Sequence, residues 1–328
     1  MAYSSITKPG DYFNTKLYTG NGSTQSITGV GFQPDWTWIK GRGSATSHQV
    51  YDVIRGATKR LVTQNSNAED TATNGLTAFD SDGFSLGTDS SSNGSSATYV
   101  GWNWKANGAG SANTDGSISS TVSANITAGF SIVSYTGTGA NATVGHGLGA
   151  VPKIIVVKKL NGSPNWAVYH TSIGATKYLE LNATSASQTA TAVFNDTEPT
   201  SSVFSIGTDN KTNGSSGNYI AYCFAEKKGY SKFGKYTGNG NADGTFVYTG
   251  FKPAFLMIKP NAVENWHIFD NTRSPINAVQ KDLRPNLSNA ESDGSSAAMD
   301  FLSNGFKFRN SDADYNTSGR EYIYMAFG

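Results

Sequence analysis

The residues with most chemical potential in this chain are four histidines, two Asp-x-x-Arg pairs, the acidic turn at Asp80 and the Asn-Trp dipeptides at Asn165 and Asn265. His48, His146, His170 and His267 show neither a nucleophile motif nor the close spacing of metal ligands, so spacing assembles no acid–base or metal centre from them. Asp52-x-x-Arg55 returns as Asp270-x-x-Arg273, a pattern that suits a turn or a surface ion pair worth about 0 to 1 kcal/mol. Asp80-Ser81-Asp82-Gly83 begins like a calcium loop but lacks its third oxygen ligand and its distal Glu. Trp166 and Trp266 follow Asn165 and Asn265. Flat rings stack on sugar faces while amides take hydroxyls, so these four form the candidate ligand-binding set. No catalytic residue, metal or cofactor is expected.

The elements that must position these residues are written three times. Tyr18-Thr19-Gly20-Asn21-Gly22 recurs as Tyr135-Thr136-Gly137-Thr138-Gly139 and as Tyr236-Thr237-Gly238-Asn239-Gly240. After each, a proline (Pro34, Pro152, Pro253) opens an apolar strand that ends in Lys40, Lys158 or Lys259. Phe84 to Asp89 with Asn93 matches Phe204 to Asp209 with Asn213, and the third copy keeps Gly305-Phe306 in looser form. Each copy closes on an aromatic strand at residues 99–104, 219–224 and 322–327. A period of roughly 100 to 120 residues is domain-sized, far above a solenoid repeat.

Alternate positions in the post-proline strands are Trp36/Trp38, Ile154/Val156 and Phe255/Met257; in the closing strands Trp102/Trp104, Tyr222/Phe224 and Met325/Phe327. All are apolar, as one buried face of a strand requires. His48 takes the place of Trp166 and Trp266 in the other copies, which makes it a packing position. Frequent Gly-containing turns between short strands predict an all-β fold of three tandem antiparallel β-sandwich or jelly-roll-like domains: residues 1–105, 129–228 and 229–328. Residues 106–128, rich in Gly, Ser, Ala, Asn and Thr, read as a linker. One or two helical turns are expected at residues 65–71 and 286–291.

Composition excludes several classes. Lys and Arg number 25 against 24 Asp and Glu, which leaves no field to hold nucleic acid or an anionic membrane. The lone Cys223 rules out an internal disulfide framework and reads as an inert core thiol. The apolar runs are far too short to span a membrane, seven residues at most in Tyr219–Ala225, and the opening ten lack a basic segment followed by an apolar one, so neither membrane insertion nor a standard secretion signal is expected.

The stretch from Gly229 to Gly240, with Phe246-Val247-Tyr248-Thr249-Gly250-Phe251-Lys252-Pro253 and Tyr322-Ile323-Tyr324-Met325-Ala326-Phe327, resembles a recurrent module of tailed-bacteriophage virion proteins. So do Gly31-Phe32-Gln33-Pro34-Asp35-Trp36 and Tyr99-Val100-Gly101-Trp102-Asn103-Trp104. Such proteins, many from marine and cyanobacterial phages, are described as tail-fibre-like or structural. The resemblance covers nearly the whole chain. It implies a virion component assembled in the host cytoplasm, with other capsid or tail proteins as partners and a homotrimer as the expected assembly. The primary expectation is an accessory surface protein, a capsid decoration or a short head or tail appendage. The alternatives are a tail-fibre adhesin for a host-surface glycan and, least supported, a polysaccharide-degrading enzyme, for which no convergent acid pair can be identified.

Overall fold

The computed structural model describes residue 4 and residues 6–328; residues 1–3 and 5, part of the opening segment read for a secretion signal, lie outside the described residues. The repeated motifs build the same antiparallel core sheet in each copy. Its strand order is opening, closing, post-proline, fourth: Phe13–Thr19, Thr98–Trp104, Trp36–Gly41 and Gln49–Asp52 in the first unit. The same order runs through Phe130–Thr136, Asn218–Ala225, Pro152–Lys159 and Ala167–His170, and through Ser231–Thr237, Glu321–Phe327, Phe255–Pro260 and His267–Asp270. The closing strand, richest in aromatic residues, is thus central and pairs on both sides. Trp104 sits between Phe13 and Trp36, the kind of cross-strand aromatic contact that stabilises a sheet.

The fold is all-β and antiparallel. Over one face of each core sheet lies a small outer sheet: Gln25–Thr28, Gly83–Leu86 and Leu76–Asp80; Ala142–Gly145 and Val203–Ile206; Phe246–Tyr248, Gly305–Phe308 and Met299–Leu302. Between them a separate core fills each unit, with Ile39, Tyr51 and Phe84 in the first, Ile155, Tyr169 and Phe204 in the second, Leu256, Phe269 and Phe306 in the third. Asn103, Cys223 and Ala326 lie on this face and are buried.

The repeated turns are clips for that sandwich. Tyr18, Tyr135 and Tyr236 stack on Tyr99, Tyr219 and Tyr322, with ring centroids 5.2, 5.2 and 4.8 Å apart. Asn93, Asn213 and Asn316 each donate their amide N–H to loop carbonyls and accept a backbone N–H from the Gly turn opposite. Gly20, Gly137 and Gly238 are required by that approach, because a Cβ would collide with the carbonyls of Gly94, Gly214 and Thr317.

The opposite faces of the core sheets correct the expected architecture. The large rings do not fill separate sandwiches. Trp36, Trp38, Trp102 and Trp104 meet Phe130, Tyr222 and Phe224 of the second unit and Phe255, Met325 and Phe327 of the third in one continuous core. The three units therefore form a closed ring around shared packing, and both faces of every core sheet are buried. A unit taken alone would expose its heaviest apolar face, which is why the sequence pattern of one buried face understated the burial.

A second correction concerns residues 106–128. They hold the strands Ser111–Asn113 and Ser120–Asn125, which extend the second unit's core sheet beyond Phe130–Thr136. Ala106, Ile118, Val122 and Ala128 are buried. Small and polar composition suits a linker, but the same residues pair here on both sides of Ser120–Asn125, with Ser120, Val122 and Ser123 buried. Helical turns fall at Ser90–Asn93, Thr191–Phe194 and Ala313–Asn316 rather than at 65–71 or 286–291.

Candidate functional site

The ring closes through three related interfaces, and these hold the residues singled out by type and spacing. Trp166 and Trp266 are 1% and 2% exposed, so neither ring has a face open to a sugar. Each crosses into the preceding unit: the Trp166 indole N–H donates to the Val62 carbonyl at 3.2 Å, and that of Trp266 to the Glu180 carbonyl at 3.0 Å. Their backbone N–H groups donate to Asn182 and Asn286, whose amides in turn donate to Asn165 and Asn265 at 2.8 Å. The two tryptophans thus tie neighbouring units together, and Asn165 and Asn265 hold the amides of Asn182 and Asn286 that fix the tryptophan backbones. His48 occupies the corresponding place in the first unit, its N–H donating to Gln64. Its shorter ring feels the Arg284 carbonyl of the third unit but makes no full hydrogen bond to it.

The ends of the fourth strands form a second ring of contacts. Asp52 accepts the Tyr222 hydroxyl at 2.8 Å, Asp270 accepts the Trp102 indole N–H at 3.0 Å, and His170 Nε2 meets the Tyr324 carbonyl at 3.2 Å. These link first to second, third to first, and second to third unit. The Asp-x-x-Arg pairs are therefore not surface features: Asp52–Arg55 and Asp270–Arg273 are bonded at 2.5 Å with side chains almost wholly buried. Burial changes their energetics, since removing one partner strands a charge in the interior.

Sequence reading missed the strand-end lysines, which pass for ordinary surface residues. Lys158 Nζ donates to the carbonyls of Ser66, Lys159, Gly162 and Pro164, and Lys259 Nζ to those of Thr184, Pro260 and Ala262. Each bridges to the preceding unit. Lys40 stays within its own loop, at the Gly41 and Ser44 carbonyls and the Thr46 hydroxyl, and there Arg42 pairs with Glu291 instead. Burial pushes all three ammonium groups down to about 8. The recurrence of Lys after each apolar strand was the available signal.

A family model described as a domain of unknown function, DUF7483, matches residues 8–328. The chain belongs to the DUF7483 family. The match spans all three units and the strands between the first two, so the DUF7483 pattern is defined over the whole ring. No curated protein matches this DUF7483 chain.

Other candidates in the DUF7483 protein serve the fold. Asp82 accepts the Gly29 and Gly31 N–H groups at 2.9 and 2.7 Å, which hold its carboxyl below the usual range, and Asp80 accepts the Ser85 hydroxyl at 2.7 Å. Among the described residues no group of three His, Cys, Asp or Glu side chains is placed to hold a metal ion. Cys223 is buried and burial pushes its thiol up. An apolar cavity of about 20 Å³ lies in the shared core, lined by Trp36, Trp104, Val156, Phe224 and Met325 among others. It has room for about one water but offers that water no polar partner. Among the described residues no helix is long and apolar enough to cross a membrane.

Proposed function

We propose that this protein is a structural component of a bacteriophage particle, exposed on its surface as a capsid decoration or a short head or tail appendage. The observation that carries the reading is the use to which the repeated motifs are put: tyrosine stacks, asparagine clips, buried lysines and crossing tryptophans all serve rigidity and ring closure. That investment, in the motifs that resemble phage virion proteins, favours a load-carrying body over a site built for turnover. No catalytic step belongs to the reading. The threefold arrangement expected of three chains exists here within one, so a single copy can occupy a position where a homotrimer would otherwise sit. Its partners are then other capsid or tail proteins.

Quantitative mass spectrometry of purified particles tests this. Copy numbers on the order of hundreds indicate the capsid surface and about a dozen the tail, following the symmetry of each assembly. Absence from the particle overturns the proposal.

A further inference from the structure

The turns of this chain contain eight Asn-Gly pairs. In such a pair the glycine nitrogen, unshielded by a Cβ, can attack the preceding side-chain amide once its own N–H is free to ionise. The fold ties that N–H down in nearly every pair. Gly22 and Gly240 donate to the Asn93 and Asn316 carbonyls, Gly75 to that of Ala72, and Gly94 and Gly214 to the Tyr99 and Tyr219 hydroxyls. Gly305 is paired in a sheet with Tyr248 and Leu302, and the Gly108 N–H faces the Asp35 carboxylate. All eight glycines are among the described residues, and Gly162 is the one whose N–H has no acceptor.

We propose that Asn161 is a modification site, converted to aspartate and isoaspartate through a succinimide. The Gly162 nitrogen bonds to Asn161 Cγ and gives its proton to solvent base, while the Cγ–Nδ2 bond breaks and ammonia leaves. Water then opens the ring at either carbonyl. Water enters and ammonia departs, with no change of oxidation state.

The surroundings favour each part of this step. Asn161 is exposed in a bend. Its Oδ1 accepts the Asn218 backbone N–H at 2.9 Å, a donor placed on the oxygen that gains charge as Cγ becomes tetrahedral. Its Nδ2, the leaving group, is held by the Ser216 carbonyl at a long 3.4 Å. Lysine charge flanks the attacking nitrogen: Lys158 Nζ donates to the Gly162 carbonyl at 3.3 Å, and Lys159 Nζ stands 3.7 Å from where a Cβ on Gly162 would lie. Cations favour loss of a nearby proton, whereas at Asn107 the Asp35 carboxylate opposes it.

The fold does not require this asparagine. Leu160, Arg42 and Asn261 make equivalent backbone bonds to the closing strands, and the residue after them is Asn161 in the second unit but Gly43 and Ala262 in its siblings. Isoaspartate adds a methylene to the main chain of the loop whose Gly162 and Pro164 carbonyls hold Lys158, the residue that bridges to Ser66. The conversion therefore falls on the junction between first and second units. It concerns the isolated chain and stands apart from the virion reading.

The test is peptide-mapping mass spectrometry of the folded full chain, sampled during incubation in mildly alkaline buffer, with enzymatic methylation of isoaspartate as a second readout. The same mapping is made on the chain unfolded in urea and on Gly162→Ala, whose added methyl has the flexible Lys159 side chain as its nearest neighbour. Folded protein should convert at Asn161 before any other pair, and the unfolded chain at all eight alike. The variant, at an unchanged melting temperature, should lose conversion at Asn161. First conversion at another pair, Asn107 above all, the same order of conversion in folded and unfolded chains, or no conversion at Asn161 overturns the proposal.

Discussion

The Trp102 indole N–H of the first unit donates to the Asp270 carboxylate of the third, 168 residues away, at 3.0 Å inside the protein. This bond joins the ends of the chain's threefold repeat, and the same carboxylate accepts Arg273 at 2.5 Å. Trp102→Phe keeps most of the ring but removes the donor. The expected loss is about 1–3 kcal/mol, the cost of leaving a buried acceptor short of a partner, read from urea unfolding.

Asp52→Ala removes the partner of buried Arg55 and the acceptor of Tyr222 at once. It should cost about 3–5 kcal/mol. Glu321→Gln, at the half-exposed pair with Lys235, should change stability by less than about 1 kcal/mol. Equal effects of the two substitutions in thermal melts would place the Asp52 pair on the surface, where its sequence pattern alone had put it.

Acid should weaken the fold at three buried histidines. Trp38, Leu148 and Ser172 donate N–H groups to Nδ1 of His48, His146 and His170, so each imidazole is held neutral with Nδ1 as acceptor. Burial lowers all three, His170 to about 4. A folded value below the unfolded one, about 6.5, gives stability that is complete above that pH and is lost as pH falls toward 4. Urea midpoints at pH 7.5 and 4.5 should differ accordingly, and His170→Gln should reduce the difference.

Alkali should act through the stacked tyrosines. Burial raises Tyr18, Tyr135 and Tyr236 well above their ordinary value. Their contribution to stability is complete below about pH 10, the unfolded value, and is lost as pH rises further. The main rise in absorbance at the tyrosinate band, that of the buried rings, should therefore coincide with loss of the folded circular dichroism signal.

The repeats made much of this fold legible. Period-two alternation at Trp36/Trp38 and Ile154/Val156 identified the strands and their apolar face, because side chains alternate whatever the sheet packs against. What covers that face is not a local property. Nothing in the spacing of Trp166 or Trp266 tells a ring that stacks on sugar from one that crosses to another unit, since both need a large flat side chain beside amides. The strands at Ser111–Asn113 and Ser120–Asn125 are hidden because strands at the margin of a sheet can be built from the same small polar residues that make linkers.

Differential scanning calorimetry of the full chain bears most directly on the ring. With Trp36, Tyr222 and Phe255 in one shared core, the three units should melt in a single transition whose calorimetric and van't Hoff enthalpies agree. A calorimetric enthalpy about three times the van't Hoff value, or melting resolved into separate steps, would show units that unfold independently and would contradict the shared core.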